Sequence, residues 1–160
     1  MKQLESKFTY LSSNLDELDD NDRYLVELAC AASRDGYAPY SQFLVGAALR
    51  LEDDTIVTGN NQENASYPCG LCAERTALFH AHAIHPHFAP RVIAIAAQTG
   101  GHFTAHPLPP CGACRQALLE MEQKFGQPLR LILHGENENI IVEKVSDLIP
   151  LQFDSDMLSD

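Results

Sequence analysis

The stretch RVIAIAAQ, residues 91–98, decides the fold class of this chain, because it runs from Val92 to Ala97 without a polar side chain. A strand with one solvent-exposed face alternates apolar and polar residues, whereas a strand buried on both faces has a continuous apolar run. Helices must then cover both faces of the sheet that contains this strand. We therefore predict an α/β fold in which helices pack on a mixed sheet.

The sequence on either side supplies the remaining elements. Further strands are predicted at 43–51, 55–60, 129–133 and 140–145, and the acidic residues 52–54 join the first two as a hairpin. Helical spacing of apolar residues predicts helices at 22–35, 72–83 and 112–125. The predicted order is α, β, β, α, β, α, β, β, which is typical of a layered α/β domain.

Length and charge limit the possible functions. The chain has 160 residues, which corresponds to one domain at about 150 residues per domain. Against 11 Lys and Arg stand 22 Asp and Glu, and the formal net charge is -11. Such a charge repels phosphate backbones and anionic membranes. We therefore expect a small neutral or cationic ligand, and neither nucleic acid nor a membrane as a partner.

The expected compartment indicates how the cysteines are used. The N-terminal residues lack the apolar core of a secretory signal, and no apolar run in the sequence approaches the roughly 18 residues of a membrane span. We therefore expect a cytoplasmic protein. Thiols stay reduced there, so cysteines bind metals or do chemistry more often than they form disulfides.

Two cysteine pairs carry the strongest chemical signal. They lie in CGLCAER, residues 69–75, and in PPCGACRQ, residues 109–116, each at or just before the start of a predicted helix. Free backbone N–H groups and the positive end of the helix dipole lower the pKa of thiols at that position. In a reducing compartment, such cysteines indicate a Zn(II) site.

These pairs allow two kinds of zinc site. A closed site of Cys69, Cys72, Cys111 and Cys114 would be structural and would make the chain a binding module without chemistry. An open site of three cysteines, without Cys69, leaves the fourth position for water, as a catalytic zinc requires. Glu74 favours the open site, because it is not needed as a ligand and can carry protons. The gap of 38 residues between the pairs also exceeds the roughly 15–20 of zinc ribbons. Redox use of either pair is a third alternative.

Four motifs in order resemble those of the cytidine deaminase family in its short, three-cysteine form. They are APYSQFLVGAA (38–48), GNNQENASY (59–67), CAERT (72–76) and PCGACRQ (110–116), and the match covers about residues 22–153. The resemblance implies a three-layer α/β/α sandwich with a central mixed five-stranded sheet. It also divides the chain into an N-terminal extension, 1–21, and a single catalytic domain, 22–160.

The resemblance implies the chemistry of the site. Cys72, Cys111 and Cys114 would hold one Zn(II) per subunit, and Glu74 would shuttle protons. The implied reaction converts cytidine and 2′-deoxycytidine to uridine and 2′-deoxyuridine with release of ammonia, in pyrimidine salvage. Three thiolates around Zn(II) leave a net negative charge that opposes ionisation of water. We expect Arg75 to offset it by hydrogen bonds to the sulfurs.

The resemblance also implies how a substrate is held. Asn61 and Glu63 match the positions that bind the sugar hydroxyls, and Phe43 matches the aromatic beside the pyrimidine. Phe153 resembles a C-terminal aromatic that contacts the substrate across a subunit interface, because family members are homotetramers with shared active sites. The lack of a nearby basic cluster favours a nucleoside over a nucleotide. A sister nucleoside or antibiotic deaminase of the same fold is the alternative.

Some features stay outside this assignment. We expect Cys69 to be a free thiol close to the site and Cys30 to be a small core residue. The histidines at positions 80, 82, 85 and 87 are expected to cap carbonyls or face solvent, and a second metal site is the alternative. The sequence gives no function for residues 1–21.

Overall fold

The computed structural model describes residues 1–158, which form seven strands and three α-helices. The strands are β1 (Leu11–Ser13), β2 (Leu44–Leu51), β3 (Ile56–Asn60), β4 (Pro90–Thr99), β5 (His102–Phe103), β6 (Arg130–His134) and β7 (Asn139–Val142). The helices are α1 (Asp20–Ser33), α2 (Ala73–Ile84) and α3 (Gly112–Phe125). Short 3-10 turns connect some of them.

All seven strands join one mixed sheet in the order β1-β7-β6-β4-β2-β3, with β5 paired to β4. Strands β4 and β6 run parallel, and the other neighbours are antiparallel. The predicted mixed α/β fold is confirmed, but the sheet has two strands beyond the predicted five. These are β1 and β5, which are too short to show the alternation by which a strand is recognised.

The apolar run in β4 is buried between two helical layers. Ile93 and Ile95 belong to the hydrophobic cluster that contains the inner faces of α2 and α3. Ala94 and Ala96 belong to a second cluster, which contains the inner face of α1. All four side chains have no exposed surface. The three-layer α/β/α arrangement is therefore confirmed.

Two glycines set how closely the helices approach the sheet. A Cβ on Gly46 in β2 would lie 2.1 Å from the Ala29 carbonyl oxygen in α1. A Cβ on Gly59 in β3 would lie 2.4 Å from the Ala77 nitrogen in α2. Neither distance is possible for a real side chain, so these positions require glycine. The close packing at Gly59 sets the position of α2 on the sheet. It therefore also sets the position of Cys72, the residue just before α2.

The segment before α1 takes part in the fold. Helix α1 begins two residues before the predicted start, and Asp19 caps it by accepting a hydrogen bond from the Asp22 nitrogen at 2.8 Å. Strand β1 pairs with β7, so residues of the predicted N-terminal extension form one edge of the sheet. Among residues 1–158, the structure contains no helix of the length and apolar character needed to cross a membrane.

Candidate active site

Three cysteines meet where two helices begin. Cys72 is the residue just before α2, Cys111 is the residue just before α3, and Cys114 lies in the first turn of α3. The sulfur of Cys111 is 3.8 Å from that of Cys72 and 3.4 Å from that of Cys114. All three sulfurs lie within 4.8 Å of one another. The spacing of three residues in α3 and the docking of α2 on the sheet thus produce one cluster.

This cluster fits a zinc ion. Tetrahedral Zn(II) with Zn–S bonds of about 2.3 Å separates its sulfur ligands by roughly 3.8 Å, close to the separations found here. Cys69 is exposed at the end of a 3-10 turn, Tyr67–Cys69, and is not a member of the group. Within residues 1–158, the group that could hold a metal ion therefore consists of three thiols and excludes Cys69, which favours the open site.

Cys72 and Cys114 differ in how readily their thiols ionise. A hydrogen bond from Cys114, aided by the Arg75 guanidinium, lowers the pKa of Cys72 to about 5. The same hydrogen bond, together with burial, raises the pKa of the Cys114 thiol that donates it. The Arg75 Nη2 donates to the Cys72 sulfur at 3.9 Å. The expected contact of Arg75 with a ligand sulfur is therefore present, and it favours negative charge on Cys72.

Glu74 lies beside these thiols in the first turn of α2, and only 4% of its surface is exposed. Burial raises the pKa of this carboxyl, and the negative charge of Cys72 acts in the same direction. A carboxyl with a raised pKa exchanges its proton closer to neutral pH than an exposed one does. Glu74 is therefore suited to hold and release a proton beside the cysteines.

A single open cavity of about 860 Å³ brings most of the predicted residues together. Its wall includes Cys72, Glu74, Arg75, Cys111, Phe43, Asn61 and Glu63. The volume is within the range of small-molecule sites, about 300–1,000 Å³. Phe153 is not part of this wall: it is 59% exposed, on the segment between the 3-10 turns Val145–Leu148 and Ser155–Leu158. Gln116 of α3 holds that segment by donating to the Phe153 carbonyl at 2.9 Å.

Backbone contacts fix the two polar residues of the cavity. The Asn61 side chain accepts from the Val45 nitrogen at 2.9 Å and donates to the Phe43 carbonyl at 2.8 Å. Glu63 accepts from the Tyr40 nitrogen at 2.8 Å and the Ser41 nitrogen at 3.3 Å. Hydrogen bonds from the Ser41 hydroxyl and the Tyr40 backbone lower the pKa of Glu63. Its carboxylate is therefore charged and oriented before any ligand arrives.

Ten other residues of this wall were not predicted from the sequence, and four of them carry side chains from three separate segments. Tyr40 and Ser41 come from the turn before β2, Tyr67 from the 3-10 turn before α2, and Leu108 from the loop before α3. Tyr40 and Ser41 lie in the motif of residues 38–48, where only Phe43 was singled out. The aromatic rings of Tyr40 and Tyr67 meet edge to face, with centroids 6.0 Å apart, at the cavity mouth.

The remaining candidates lie outside the site. Within residues 1–158, the three cysteines form the only group of three or more potential metal ligands, so the histidines between 80 and 87 do not make a second such group. His82 instead contacts Lys124, and His85 packs against Phe88. Cys30 is half-buried, and burial raises the pKa of its thiol to about 11, as fits a packing residue.

An α/β sandwich with three thiols at two helix N-termini, and a buried carboxyl beside them, defines a class of zinc protein. Residues 19–125 match the family model described as the cytidine and deoxycytidylate deaminase zinc-binding region. The chain belongs to the cytidine and deoxycytidylate deaminase family.

Relatives and solved structures agree with this assignment. The chain is 40% identical over 136 residues to a cytidine deaminase of Halalkalibacterium halodurans, a match that covers 85% of this chain and 96% of the relative. It is 38% identical over 135 residues to a cytidine deaminase of Mycobacterium tuberculosis, covering 81% and 87%. The crystal structure of cytidine deaminase from Burkholderia pseudomallei superposes with a TM-score of 0.68 at 42% identity, covering 81% of this chain and 97% of that one.

Proposed function

We propose that this protein is a zinc-dependent hydrolase that converts cytidine and 2′-deoxycytidine to uridine and 2′-deoxyuridine, with release of ammonia. The observation that carries the proposal is the buried carboxyl of Glu74 beside three clustered thiols, at the wall of a cavity large enough to admit a nucleoside. A purely structural zinc site has no use for a buried carboxyl that opens into a cavity.

Cys72, Cys111 and Cys114 are the residues that would hold the metal, one Zn(II) per subunit. When bound, zinc supplies Lewis-acid chemistry that lowers the pKa of water towards 7 and so permits hydrolysis at neutral pH. The two helix N-termini stabilise the negative charge of the thiolates. Arg75 adds a hydrogen bond to Cys72, which limits the excess of negative charge at the site.

Glu74 moves the protons of the proposed reaction. Its carboxylate takes a proton from the attacking water and delivers it to N3 of the cytosine ring. It then carries the second proton of that water to the exocyclic amino group, which leaves as ammonia. The water oxygen forms the new bond to C4, and the bond from C4 to the exocyclic amino nitrogen breaks. General acid–base catalysis of this kind contributes typically about 10²–10⁴-fold. The raised pKa of Glu74 supports the role, because the same group must both accept and donate.

Phe43, Asn61 and Glu63 bind the nucleoside in this proposal. An amide and a charged carboxylate can donate to and accept from the sugar hydroxyls, and a free base would make none of these hydrogen bonds. The Phe43 ring packs beside the pyrimidine in this proposal. Among the described residues, 1–158, Arg75 is the only Lys or Arg in the cavity wall, and it contacts a cysteine, which supports a substrate without a 5′-phosphate.

The proposal includes a homotetramer with shared active sites, working in the cytoplasm in pyrimidine salvage. Phe153 is exposed and lies outside the wall of its own chain's cavity, which supports contact with the cavity of a neighbouring subunit. Tyr40 and Tyr67 also expose their rings at the cavity mouth, where a second subunit would cover them. Light scattering coupled to size exclusion should give four subunits, and a monomer would contradict this part of the proposal.

An assay with zinc-loaded protein tests the reaction. Cytidine should lose its absorbance and uridine should appear on chromatography, with 2′-deoxycytidine behaving in the same way. Glu74→Gln is the matched variant: it should keep one zinc per chain and lose activity by at least about 10²-fold. Absence of uridine from protein that holds one zinc per chain would refute the proposal. Deamination of a different aminated nucleoside, with cytidine untouched, would support the sister-enzyme alternative.

A further inference from the structure

Helix α3 holds the part of the chain that follows the last strand of the sheet. The Glu122 carboxylate accepts from the Val145 nitrogen at 2.8 Å and from the Ser146 nitrogen at 3.3 Å. Arg115 lies seven residues before Glu122 and therefore on the same face of the helix. Its Nη1 donates to the Leu148 carbonyl at 3.2 Å. The helix thus holds both ends of one 3-10 turn.

The contacts continue along the C-terminal segment, residues 149–153, which follows that turn. Gln116 of α3 donates to the Phe153 carbonyl at 2.9 Å, and Gln152 donates back to the Ser146 carbonyl at 3.0 Å. The bond from Gln116 goes to the backbone of Phe153, and the residue itself stays 59% exposed. The helix therefore fixes the backbone of the segment and leaves the aromatic ring available to another surface.

Arg115 also connects this segment to the cysteine cluster. Its Nε donates to the Pro110 carbonyl at 2.8 Å, and Pro110 is the residue before Cys111. Arg115 itself directly follows Cys114. Within residues 1–158, no carboxylate forms an ion pair with its guanidinium, which is half-buried and bonds two backbone carbonyls instead. One side chain therefore joins the loop that carries Cys111 to the turn from which the C-terminal segment starts.

We propose that Arg115 and Gln116 are positioning residues that hold the C-terminal segment against the start of α3, so that the Phe153 ring reaches the cavity of a neighbouring subunit from a fixed place. This inference rests on the proposed function, because it assigns Phe153 to a shared site. Neither positioning residue belongs to the cavity wall or takes part in bond making or breaking. Loss of their hydrogen bonds should therefore weaken binding of the nucleoside and leave proton transfer at Glu74 intact.

Steady-state kinetics of zinc-loaded variants tests the effect on binding. Gln116→Ala should raise KM for cytidine about 2–10-fold, the range for losing one neutral hydrogen bond, with kcat within about twofold of the parent. Gln116→Glu has nearly the same shape but cannot donate to a carbonyl, so it should raise KM at least as much. Glu120→Ala is the control, since Glu120 is exposed on α3 and makes no hydrogen bond or ion pair within residues 1–158. A normal KM in Gln116→Glu would overturn the inference.

A double-mutant cycle separates positioning from a merely structural role. Without the ring at position 153, the place of the C-terminal segment no longer matters to the substrate. Gln116→Ala in a Phe153→Ala background should therefore add little to the loss in kcat/KM that Phe153→Ala causes alone. Full additivity of the two losses would show that Gln116 acts independently of Phe153, against the inference.

A measurement without substrate keeps the inference distinct from the proposed function. The chain contains no Trp, so Phe153→Trp introduces a single indole on the C-terminal segment. Time-resolved fluorescence anisotropy separates fast local motion of that indole from tumbling of the whole particle, whatever its number of subunits. In this background, Gln116→Ala and Arg115→Ala should each increase the amplitude of the fast motion, and Glu120→Ala should not. An unmoved amplitude in either variant would overturn the inference even if cytidine is deaminated, whereas failure of the parent to deaminate cytidine would refute only the proposed function.

Discussion

Glu74 and Arg75 are neighbours in the sequence, and the first turn of α2 gives their side chains different surroundings. Successive residues of a helix point about 100° apart, whereas residues three apart share a face. Glu74 is therefore buried beside the cavity, while Arg75 reaches back to the sulfur of Cys72, three residues before it. One helical turn thus carries the proposed zinc ligand, the proposed proton carrier and a cation beside the thiol.

Replacing Arg75 by Gln should weaken the site. The variant loses the positive charge beside Cys72, and loss of such supporting contacts to a metal ligand costs about 10–100-fold in metal affinity or activity. Zinc content by mass spectrometry after dialysis and kcat for cytidine measure the effect. Arg34→Gln, an exposed arginine after α1, is the control. Turnover and zinc content equal to the parent's would contradict this role of Arg75.

Replacing Cys69 by Ser should leave the site intact. The thiol is exposed and does not belong to the cysteine cluster, so the variant should retain one zinc per chain and full deaminase activity. Cys114→Ser is the comparison, since Cys114 is buried inside the cluster and its loss should abolish zinc retention. Loss of zinc from Cys69→Ser would revive the closed four-cysteine site.

At the scale of elements, the position of α2 relative to α3 determines whether the three sulfurs meet. Cys114 lies in the first turn of α3, and Cys111 is the residue just before that helix. The helical turn therefore holds these two cysteines close together. Cys72 comes from another part of the chain and depends on how α2 packs on β3. A Cβ on Gly59 would collide with the Ala77 backbone, so this packing requires glycine, and the proposed metal site depends on a residue outside it.

Gly59→Ala tests this dependence. The new methyl group would meet the Ala77 backbone at 2.4 Å, so α2 must shift, and such overpacking costs about 1–3 kcal/mol of the free energy of unfolding. Urea unfolding gives the loss of stability, and zinc content shows the displaced ligand. Gly112→Ala is the matched control, because a Cβ there meets no atom within 4 Å. Equal stability of Gly59→Ala and the parent would contradict this account of the packing.

At the scale of the whole molecule, the metal would join two helices that otherwise share few contacts with each other. Both lie on the same face of the sheet and pack in one hydrophobic cluster. A ligand that binds only the folded state stabilises it in proportion to the logarithm of its concentration over its dissociation constant. The proposed zinc ion should therefore stabilise the whole domain as well as serve the reaction.

Removal of zinc should lower the thermal unfolding temperature and abolish deamination, and added Zn(II) should restore both. A stabilisation of about 4 kcal/mol follows at a free zinc concentration 1,000 times the dissociation constant. Differential scanning calorimetry with and without a chelator measures the shift. Cys69→Ser should respond like the parent, and Cys114→Ser should not respond to zinc. A chelator that leaves both temperature and activity unchanged would argue against zinc at this site.

Much of the fold could be predicted because it depends on local patterns. The apolar run in β4 required helices on both faces, and the three helices were recognised from their spacing of apolar residues. Strands β1 and β5 could not be recognised, since two or three residues are too few to show an alternation of apolar and polar side chains. They form by pairing with the backbones of β7 and β4. Sequence could likewise indicate which cysteines stand at helix starts, but not which of four sulfurs approach one another.

The sequence by itself determined the layered fold, the chemistry of the cysteine pairs and the family, because these depend on residue types at short spacing. The tertiary structure decided the membership of the cluster, since packing of α2 on β3 brings Cys72 to α3 and leaves Cys69 exposed. It also decided the surroundings of Glu63, whose partners come from a turn more than twenty residues earlier in the chain. Contacts between distant segments depend on how elements pack, and no local pattern encodes that packing.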